Sequence, residues 1–186
     1  HIYTVMGWAS TDLPSTYPCA SDSNGWIGLE CDQGHVVGIS LSGEGEGENS
    51  PPVMDDTPRQ LSGAVAILSE LETITLNNMN IQGTLPRELA QLSRLRTISL
   101  QQNRISGTIP MELGGLSSLR TLSLFWNRLS GTIPAELENL DLDVCSLTMG
   151  NVWSRNEFDC PIPNHLSAAC TSDAMLHCGP LTPLAY

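Results

Sequence analysis

The chain has 186 residues, with 20 Asp and Glu against 8 Arg and no Lys, which gives a formal net charge of −12. This length predicts a single domain, and a hydrophobic share of 40% is enough for a continuous core, which excludes disorder over most of the chain. The acidic balance excludes nucleic acid and anionic membranes as main partners, because both favour net positive charge. No apolar run approaches the roughly 18 residues of a membrane-spanning helix.

The six cysteines indicate where the protein resides. Their number is even and no C-x-x-C motif is present, which predicts three disulfides and an oxidising compartment. The sequence starts at His1 rather than Met, and we therefore expect that a signal peptide has been removed. The predicted location is extracellular, or the cell surface if the sequence belongs to a longer chain.

The amino-terminal segment places two cysteines around a short aromatic motif. Cys19 and Cys31 flank Trp26 and Gly28, and an alternating apolar segment follows directly at residues 36–41. Alternation of this kind predicts a first half-buried β-strand.

An acidic loop follows this strand. Residues 43–60 are rich in Gly, Pro, Asp and Glu, and we expect a mobile insertion. Its carboxylates carry the oxygen ligands that Ca²⁺ prefers, but the spacing is not that of an EF-hand. The four histidines, His1 included, are scattered along the chain. We therefore predict no metal site.

Three units of equal length dominate the middle of the chain. They begin at Leu71, Leu95 and Leu119. Each unit has the pattern L-x-x-[IL]-x-L, a turn, and then G-T-[IL]-P-x-E-L, as the three aligned segments show: Leu71–Leu89, Leu95–Leu113 and Leu119–Leu137. Gly and Pro recur inside every unit, which excludes a series of long helices.

The spacing within one unit predicts its structure. Leu-x-Leu alternation predicts a short strand with one apolar face, and stacked units place these strands side by side in a parallel sheet. Asn103 and Asn127 follow the strands, where a buried amide can bond the backbone of neighbouring turns. Met79 holds this position in the first unit, so the Asn ladder is interrupted there. Pro110 predicts a short helical turn on the opposite side.

The pattern L-x-x-L-x-L-x-x-N-x-L-x-G-x-I-P resembles leucine-rich repeats, and its G-x-I-P half resembles the plant-specific extracellular subclass. The resemblance implies an α/β solenoid, a curved horseshoe with a parallel sheet on its concave face and about five repeats. It divides the chain into an amino-terminal cap at 1–35, repeats at 36–142 with the acidic loop at 43–60, and a degenerate last repeat with a carboxyl-terminal cap at 143–186. In the last repeat, residues 147–149 and 156–158 are strand-like.

Disulfide-bonded caps are a further implication of the resemblance. The segment from Cys19 to Cys31 is similar to the amino-terminal cap of plant repeat proteins, and the segments at 160–170 and 178–181 are similar to the carboxyl-terminal cap and tail. The caps imply the pairs Cys19–Cys31 and Cys160–Cys170, which leaves Cys145–Cys178 by elimination. Six cysteines allow 15 connectivities, and the sequence does not exclude the others.

Function in such a solenoid is expected on outward-facing positions of the concave sheet. We predict a ligand-binding surface from positions that recur in successive repeats: Asn77, Asn78, Gln101, Gln102, Arg104, Phe125, Trp126 and Arg128. Phe125 and Trp126 stand out because the chain has only nine aromatic residues, and adjacent outward aromatics are typical of contact sites. Packing of the carboxyl-terminal cap over them is the alternative.

The sequence has no motif for nucleophilic, metal or phosphate chemistry, so we predict a non-enzymatic protein without a cofactor. The main hypothesis is an extracellular recognition or assembly module that binds a protein or glycan through the concave face. The resemblance extends to short plant co-receptor ectodomains and to polygalacturonase-inhibiting proteins. Alternatives are a structural subunit of a fibre or wall, an inhibitor of a cell-wall hydrolase, and an ice-binding protein that uses its columns of Thr.

The negative charge is unevenly distributed. Residues 1–58 contain nine acidic residues and no basic one, whereas residues 85–130 contain six Arg against two Glu, a local charge of +4. This basic centre leaves an acidic partner possible, and also self-association with an acidic end of a second copy.

Overall fold

The computed structural model describes residues 19, 28–43, 59–148, 156–159, 163, 166 and 170. Eleven strands lie in these residues: β1 Leu29–Asp32, β2 His35–Ser42, β3 Arg59–Gln60, β4 Thr73–Asn77, β5 Ile81–Gln82, β6 Thr97–Ser99, β7 Ser106–Gly107, β8 Thr121–Ser123, β9 Arg128–Thr132, β10 Val144–Ser146 and β11 Glu157–Asp159. Four 3₁₀ helices alternate with them: Gly63–Ile67, Arg87–Gln91, Met111–Gly115 and Ala135–Asn139.

The repeat strands form one sheet in the order β1-β2-β4-β6-β8-β10. β1 is antiparallel to β2, and the other neighbours are parallel. Ile74 pairs with Ile98, and Ile98 with Leu122, so the period of the sequence becomes the register of the sheet. The five parallel strands confirm the solenoid and its predicted number of repeats.

The 3₁₀ helices of the repeats begin directly after the repeated prolines. Pro86, Pro110 and Pro134 have extended backbone and precede the second, third and fourth helices, as the fixed φ of proline favours at a helix start. Each helix buries one Leu of the repeat against the same core that the strands fill: Leu89, Leu113 and Leu137. Strands, turns and helices thus enclose one continuous aliphatic core.

A second sheet lies in the segments between the concave strands and the 3₁₀ helices. β7, β9 and β11 form a three-stranded parallel sheet, β3 pairs with β5, and Thr84 bridges to Ser106. The repeated Gly107 and Gly131 have positive φ of 77° and 76°. A Cβ at Gly131 would lie 2.8 Å from the Thr108 methyl carbon, so glycine allows the strands to pack closely there.

The predicted Asn ladder is present and has three members. The Oδ1 of Asn103 accepts from the N–H groups of Met79 and Ile81, both at 3.0 Å, and its Nδ2 donates to the Leu100 carbonyl at 2.9 Å. Asn127 repeats this pattern one turn later. The third member is Asn156, which lies further from Asn127 than one repeat length and still bonds the backbone of the neighbouring turns in the same way.

Met79 occupies the ladder position of the first repeat. Its side chain is fully buried in the core, and its carbonyl accepts from Nη1 of Arg59 at 3.3 Å. The ladder is therefore interrupted at this turn, as predicted.

The last repeat has a different register from the predicted one. Its concave strand is β10, rather than a strand at residues 147–149, and Cys145 pairs with Leu122 where a strict repeat would place Ser146. The reason is that Cys145 and Leu147 fill the two core positions of the unit, both buried. The prediction of a strand at 156–158 is close to β11.

The disulfides confirm one predicted pair and correct two. Cys19 and Cys31 are joined, as predicted for the amino-terminal cap. Cys145 is joined to Cys170, so both Cys160–Cys170 and Cys145–Cys178 are wrong. Cys145 and Cys170 are both buried, because Cys145 replaces a core Leu and Cys170 packs against it. Cys160, Cys178 and residues 44–58 of the acidic loop lie outside the described residues.

Candidate functional site

The concave sheet presents polar side chains that hydrogen-bond across neighbouring repeats. The hydroxyl of Ser99 donates to Oδ1 of Asn77 at 2.9 Å, and that of Ser123 donates to Oε1 of Gln101 at 3.0 Å. Phe125 stands at the equivalent position of the next repeat. The sequence thus places a half-buried phenyl ring where the preceding repeats have an amide.

Phe125 and Trp126 form an aromatic pair at the end of β8. Their ring centroids lie 6.2 Å apart and the planes are 77° apart, an edge-to-face arrangement. Both residues are half-buried rather than fully exposed. The indole Nε1 of Trp126 is buried and has no acceptor among the described residues, although buried indole N–H groups usually have one.

Left-handed backbone recurs at the position before Met79, Asn103 and Asn127. Asn78, Gln102 and Trp126 have φ of 56°, 60° and 55°. This conformation is tolerated by Asn but costs most other L-residues about 1–2 kcal/mol, and a bulky side chain there is an outlier. The backbone connects them in a column, because the N–H of Asn78 donates to the Gln101 carbonyl and that of Gln102 to the Phe125 carbonyl.

Two edges flank the concave sheet. We call the positions before the strands the amino rim; its described charged residues are Glu70, Glu72, Arg94, Arg96, Arg120, Asp141 and Asp143. We call the positions after the strands the carboxyl rim; its members are Asn78, Asn80, Gln102, Arg104, Trp126 and Arg128.

Arginines of the amino rim are paired with the rest of the chain. Arg94 pairs with Glu70, and Arg96 Nε lies 3.2 Å from Glu72 Oε2. Nη1 of Arg120 donates to three backbone carbonyls, including that of Asp141 at 3.1 Å. Two of the six arginines in residues 85–130 therefore have a carboxylate partner on this edge, and a third has its guanidinium held by backbone carbonyls.

The arginines of the carboxyl rim differ. Arg104 and Arg128 are exposed, and neither has an ion pair or a side-chain hydrogen bond among the described residues. Their backbones lie on successive turns, because the N–H of Arg104 donates to the Ile81 carbonyl at 2.8 Å and that of Arg128 to the Ile105 carbonyl at 2.7 Å. The rim thus carries two uncompensated positive charges beside Trp126.

Within the described part of the chain, no group of three or more His, Cys, Asp and Glu side chains is arranged to hold a metal ion. The same residues include no helix that is long and apolar enough to cross a membrane.

A family model described as leucine rich repeat matches residues 69–129. Residues 69–129 are therefore leucine-rich repeats. Solved plant leucine-rich-repeat structures share the fold of this chain. One is a chain of the BIR3–SERK2 complex from Arabidopsis thaliana, with 18% identity, 88% of this chain and 78% of that chain covered and a TM-score of 0.61. No curated protein matches the sequence.

Two further structures have a similar fold. A plant ice-binding protein shares 24% identity over 85% of this chain and 46% of its own, with a TM-score of 0.61. Pollen receptor kinase 3 shares 26% identity over 84% of this chain and 66% of its own, with a TM-score of 0.59. This leucine-rich-repeat chain therefore spans less than half of the ice-binding protein.

The leucine-rich-repeat register brings the predicted site residues to one side of the sheet. Asn77 ends β4, Gln101 and Phe125 follow β6 and β8 at the equivalent position, and the other five residues belong to the carboxyl rim. Sequence reasoning missed the separation of the charges between the two rims. The signal was available, because Glu70 and Arg94 are one repeat apart, as are Glu72 and Arg96, and that period places them at equivalent positions of adjacent turns.

Proposed function

We propose that this protein is an extracellular recognition module that binds a protein partner through the carboxyl half of its concave face, with Phe125 and Trp126 as the central contact. The Trp126 backbone supports this most strongly. The left-handed backbone of this tryptophan costs stability, and its buried N–H has no acceptor among the described residues. Such strain is typical of functional positions.

The aromatic pair suits a protein partner. Trp is enriched at the energetically dominant positions of protein interfaces, where its large ring area and N–H are both used. A backbone carbonyl or an amide of the partner would accept from Nε1 after a small rotation of the ring. The surrounding Gln101, Gln102 and Asn77 supply neutral hydrogen-bonding groups around this centre.

The size of the sheet limits the mode of binding. Five parallel strands spaced by about 4.8 Å give a face roughly 20 Å wide between the outer strands, whereas a standard interface needs about 800 Å² on each partner. The chain therefore binds as one face of a larger assembly or holds one short segment of its partner. Extracellular location accords with the two described disulfides.

Site-specific photo-crosslinking tests this proposal and does not require that the partner be identified beforehand. A photoreactive amino acid replaces Gln101 on the concave face or, as matched control, the exposed Gln91 in the 3₁₀ helix on the opposite side. Exposed to extracellular protein of the source organism, the Gln101 probe yields a discrete adduct and the Gln91 probe does not. Trp126→Asn in the same chain abolishes the adduct, because Asn keeps the left-handed backbone and removes the ring.

Equal labelling from both probes, or an adduct that survives Trp126→Asn, would contradict the proposal. Circular dichroism of the variant establishes that the fold is retained.

Ice binding remains a second candidate because of one observation. Thr84, Thr108 and Thr132 form an exposed, uncharged column along the second sheet, whereas the threonines on the concave face are half-buried. An ice-recrystallisation assay separates the candidates. Ice binding is supported if the wild type slows the growth of ice grains and Thr108→Glu does not. It is excluded if ice grains grow at the normal rate with the wild type.

A further inference from the structure

We propose that Arg104 and Arg128 form a carboxylate-binding subsite, so that the segment recognised by this chain is an acidic peptide segment of the partner with an apolar or aromatic residue beside its acids. This inference rests on the proposed function and specifies the chemistry of the ligand. It starts from the difference between the two rims of the concave sheet.

The chain has enough acidic residues to neutralise Arg104 and Arg128. It has 20 acidic residues against 8 arginines, and on the amino rim Glu70 and Glu72 pair with arginines one repeat away. The carboxyl rim has Asn80 at the position that precedes Arg104 by one repeat. Described positions of this rim contain amides, a Trp and two Arg, and no acid.

Stacking these two arginines does not favour folding. Their backbones lie on successive turns of the solenoid, and two like charges at equivalent positions of adjacent turns repel each other. An acid at either position would form the cross-repeat pair that the amino rim has. The arrangement is explained if a ligand supplies the negative charge, since two guanidinium groups on adjacent turns offer paired donors to carboxylate oxygens.

Trp126 determines which chemical group lies beside the carboxylates in the ligand. Trp126 and Arg128 flank the inward-pointing Asn127, which is fully buried, so the indole and the guanidinium emerge on either side of one ladder position. A ligand that engages both must carry an apolar group close in sequence to an acid. A polyanion without such a group engages only the arginines.

The chain's own acidic ends are the rival occupant. Glu157 and Asp159 on β11 are exposed, and a second copy could present them to Arg104 and Arg128. The net charge of −12 on both copies opposes this contact at low ionic strength. We therefore commit to an acidic segment of a different protein, which as a whole does not have to carry such a negative charge, with self-association as an outcome that the test detects.

NMR with defined peptides tests the subsite directly. The chain has only eight Arg and four Trp, so the Arg Nε–H and indole N–H signals are few enough to assign from single variants. The probe is acetyl-Glu-Tyr-Glu-amide, and its matched control is acetyl-Gln-Tyr-Gln-amide. We expect the Glu probe to shift the signals of Arg104, Arg128 and Trp126, and to leave those of Arg94 and Arg96 in place.

The variant Arg104→Gln/Arg128→Gln should weaken binding of the Glu probe on the order of tenfold, because it removes both of the exposed ion pairs that the probe would form. Arg87→Gln is the control, because Arg87 is exposed and pairs only with its neighbour Glu88 among the described residues. The effect of the double variant should shrink as salt screens the exposed charges.

Three results would overturn the inference. The first two are equal shifts with the Glu and Gln probes and equal shifts at all arginines. The third is a shift of the Arg104 and Arg128 signals when the protein alone is concentrated, which would assign the subsite to a second copy. Failure here is distinguishable from failure of the proposed function. If the partner found by crosslinking requires Trp126 and yet binds the double Arg variant as tightly as the wild type, that result would support the concave-face site and contradict only the carboxylate subsite.

Discussion

Single residues determine whether the backbone of a turn in this solenoid has its buried groups hydrogen-bonded or adopts a strained conformation. Asn103, Asn127 and Asn156 satisfy backbone groups that lie too deep in the core for water to reach. One position earlier, the left-handed backbone accepts Asn78 readily but makes Trp126 costly. The ladder residue thus stabilises the fold, whereas we propose that the residue before it serves recognition in the repeat of Trp126.

Replacing Asn103 with Leu tests the ladder. Leu has the same branched shape with the same number of side-chain heavy atoms, but it leaves the N–H groups of Met79 and Ile81 and the carbonyl of Leu76 without the Asn103 side chain as partner. At roughly 1–3 kcal/mol for each unsatisfied buried group, we expect the free energy of unfolding to fall by at least about 3 kcal/mol. Urea denaturation measures this as a lower midpoint at unchanged slope.

The control for this change is Asn139→Leu, at an exposed position at the end of the last 3₁₀ helix. Its effect should stay within about 0.5 kcal/mol. If Asn103→Leu cost no more than this control, the ladder would be incidental to stability.

Secondary-structure elements stack through contacts that leave no room for larger side chains. Gly114 and Gly115 both end the 3₁₀ helix Met111–Gly115, yet their surroundings differ. A Cβ at Gly114 would collide with the backbone carbonyl of Glu136 in the next helix, whereas a Cβ at Gly115 would meet nothing within 4 Å. The packing distance between successive helices is therefore set by the first of these two glycines.

The two glycines provide a matched test of helix stacking. Gly114→Ala should destabilise the protein by about 1–3 kcal/mol, because the backbone must move to admit a methyl group. Gly115→Ala should be neutral or stabilising by up to about 1 kcal/mol, since it mainly restricts the unfolded chain. Thermal unfolding of both variants measures the difference, and equal melting temperatures would contradict the stacking geometry.

For the whole molecule, the Cys145–Cys170 disulfide joins the last concave strand to the chain beyond it. Both cysteines are buried against the end of the core, where a solenoid would otherwise expose its last repeat. The amino end is closed by a different device, the antiparallel strand β1 with Cys31 joined to Cys19.

Removing the carboxyl-terminal disulfide should lower stability substantially. The cysteines are 25 residues apart, and closing a loop of that size contributes about 3.5 kcal/mol in the chain-entropy treatment. Cys145→Ala/Cys170→Ala should therefore unfold at a lower urea concentration. Peptide mapping of the unreduced wild type should recover Cys145 linked to Cys170, and a Cys160–Cys170 peptide would contradict this arrangement.

Local repetition explains how much of the molecule the sequence could predict. The strand register, the Asn ladder, and the 3₁₀ helices after Pro86, Pro110 and Pro134 all follow from one constant repeat length, because equivalent residues stack on one another. The last repeat departs from that length. The prediction from its strand-like residues therefore places the strand at 147–149 instead of Val144–Ser146, and the repeat length does not identify Asn156 as a ladder member.

Contacts between residues that are far apart in sequence were less predictable. Cys170 has a near neighbour in sequence at Cys160, but the bond goes to Cys145, because burial at the end of the core brings those two together. For the candidate site, the period predicted which residues share a face. The left-handed backbone of Trp126 and the lack of described ion pairs at Arg104 and Arg128 depend on three-dimensional contacts that the pattern does not specify.

We propose that Phe125 and Trp126 form the central contact of the recognition surface. Calorimetric titration of this protein with the free partner, once crosslinking has identified it, is the most direct test. Phe125→Ser/Trp126→Asn should weaken binding at least about thirtyfold, the effect of losing a contact worth about 2 kcal/mol or more. Met111→Ser removes an exposed apolar side chain from the opposite face and should change the affinity less than twofold. An unchanged affinity in the double variant, or an equal loss in Met111→Ser, would contradict the account.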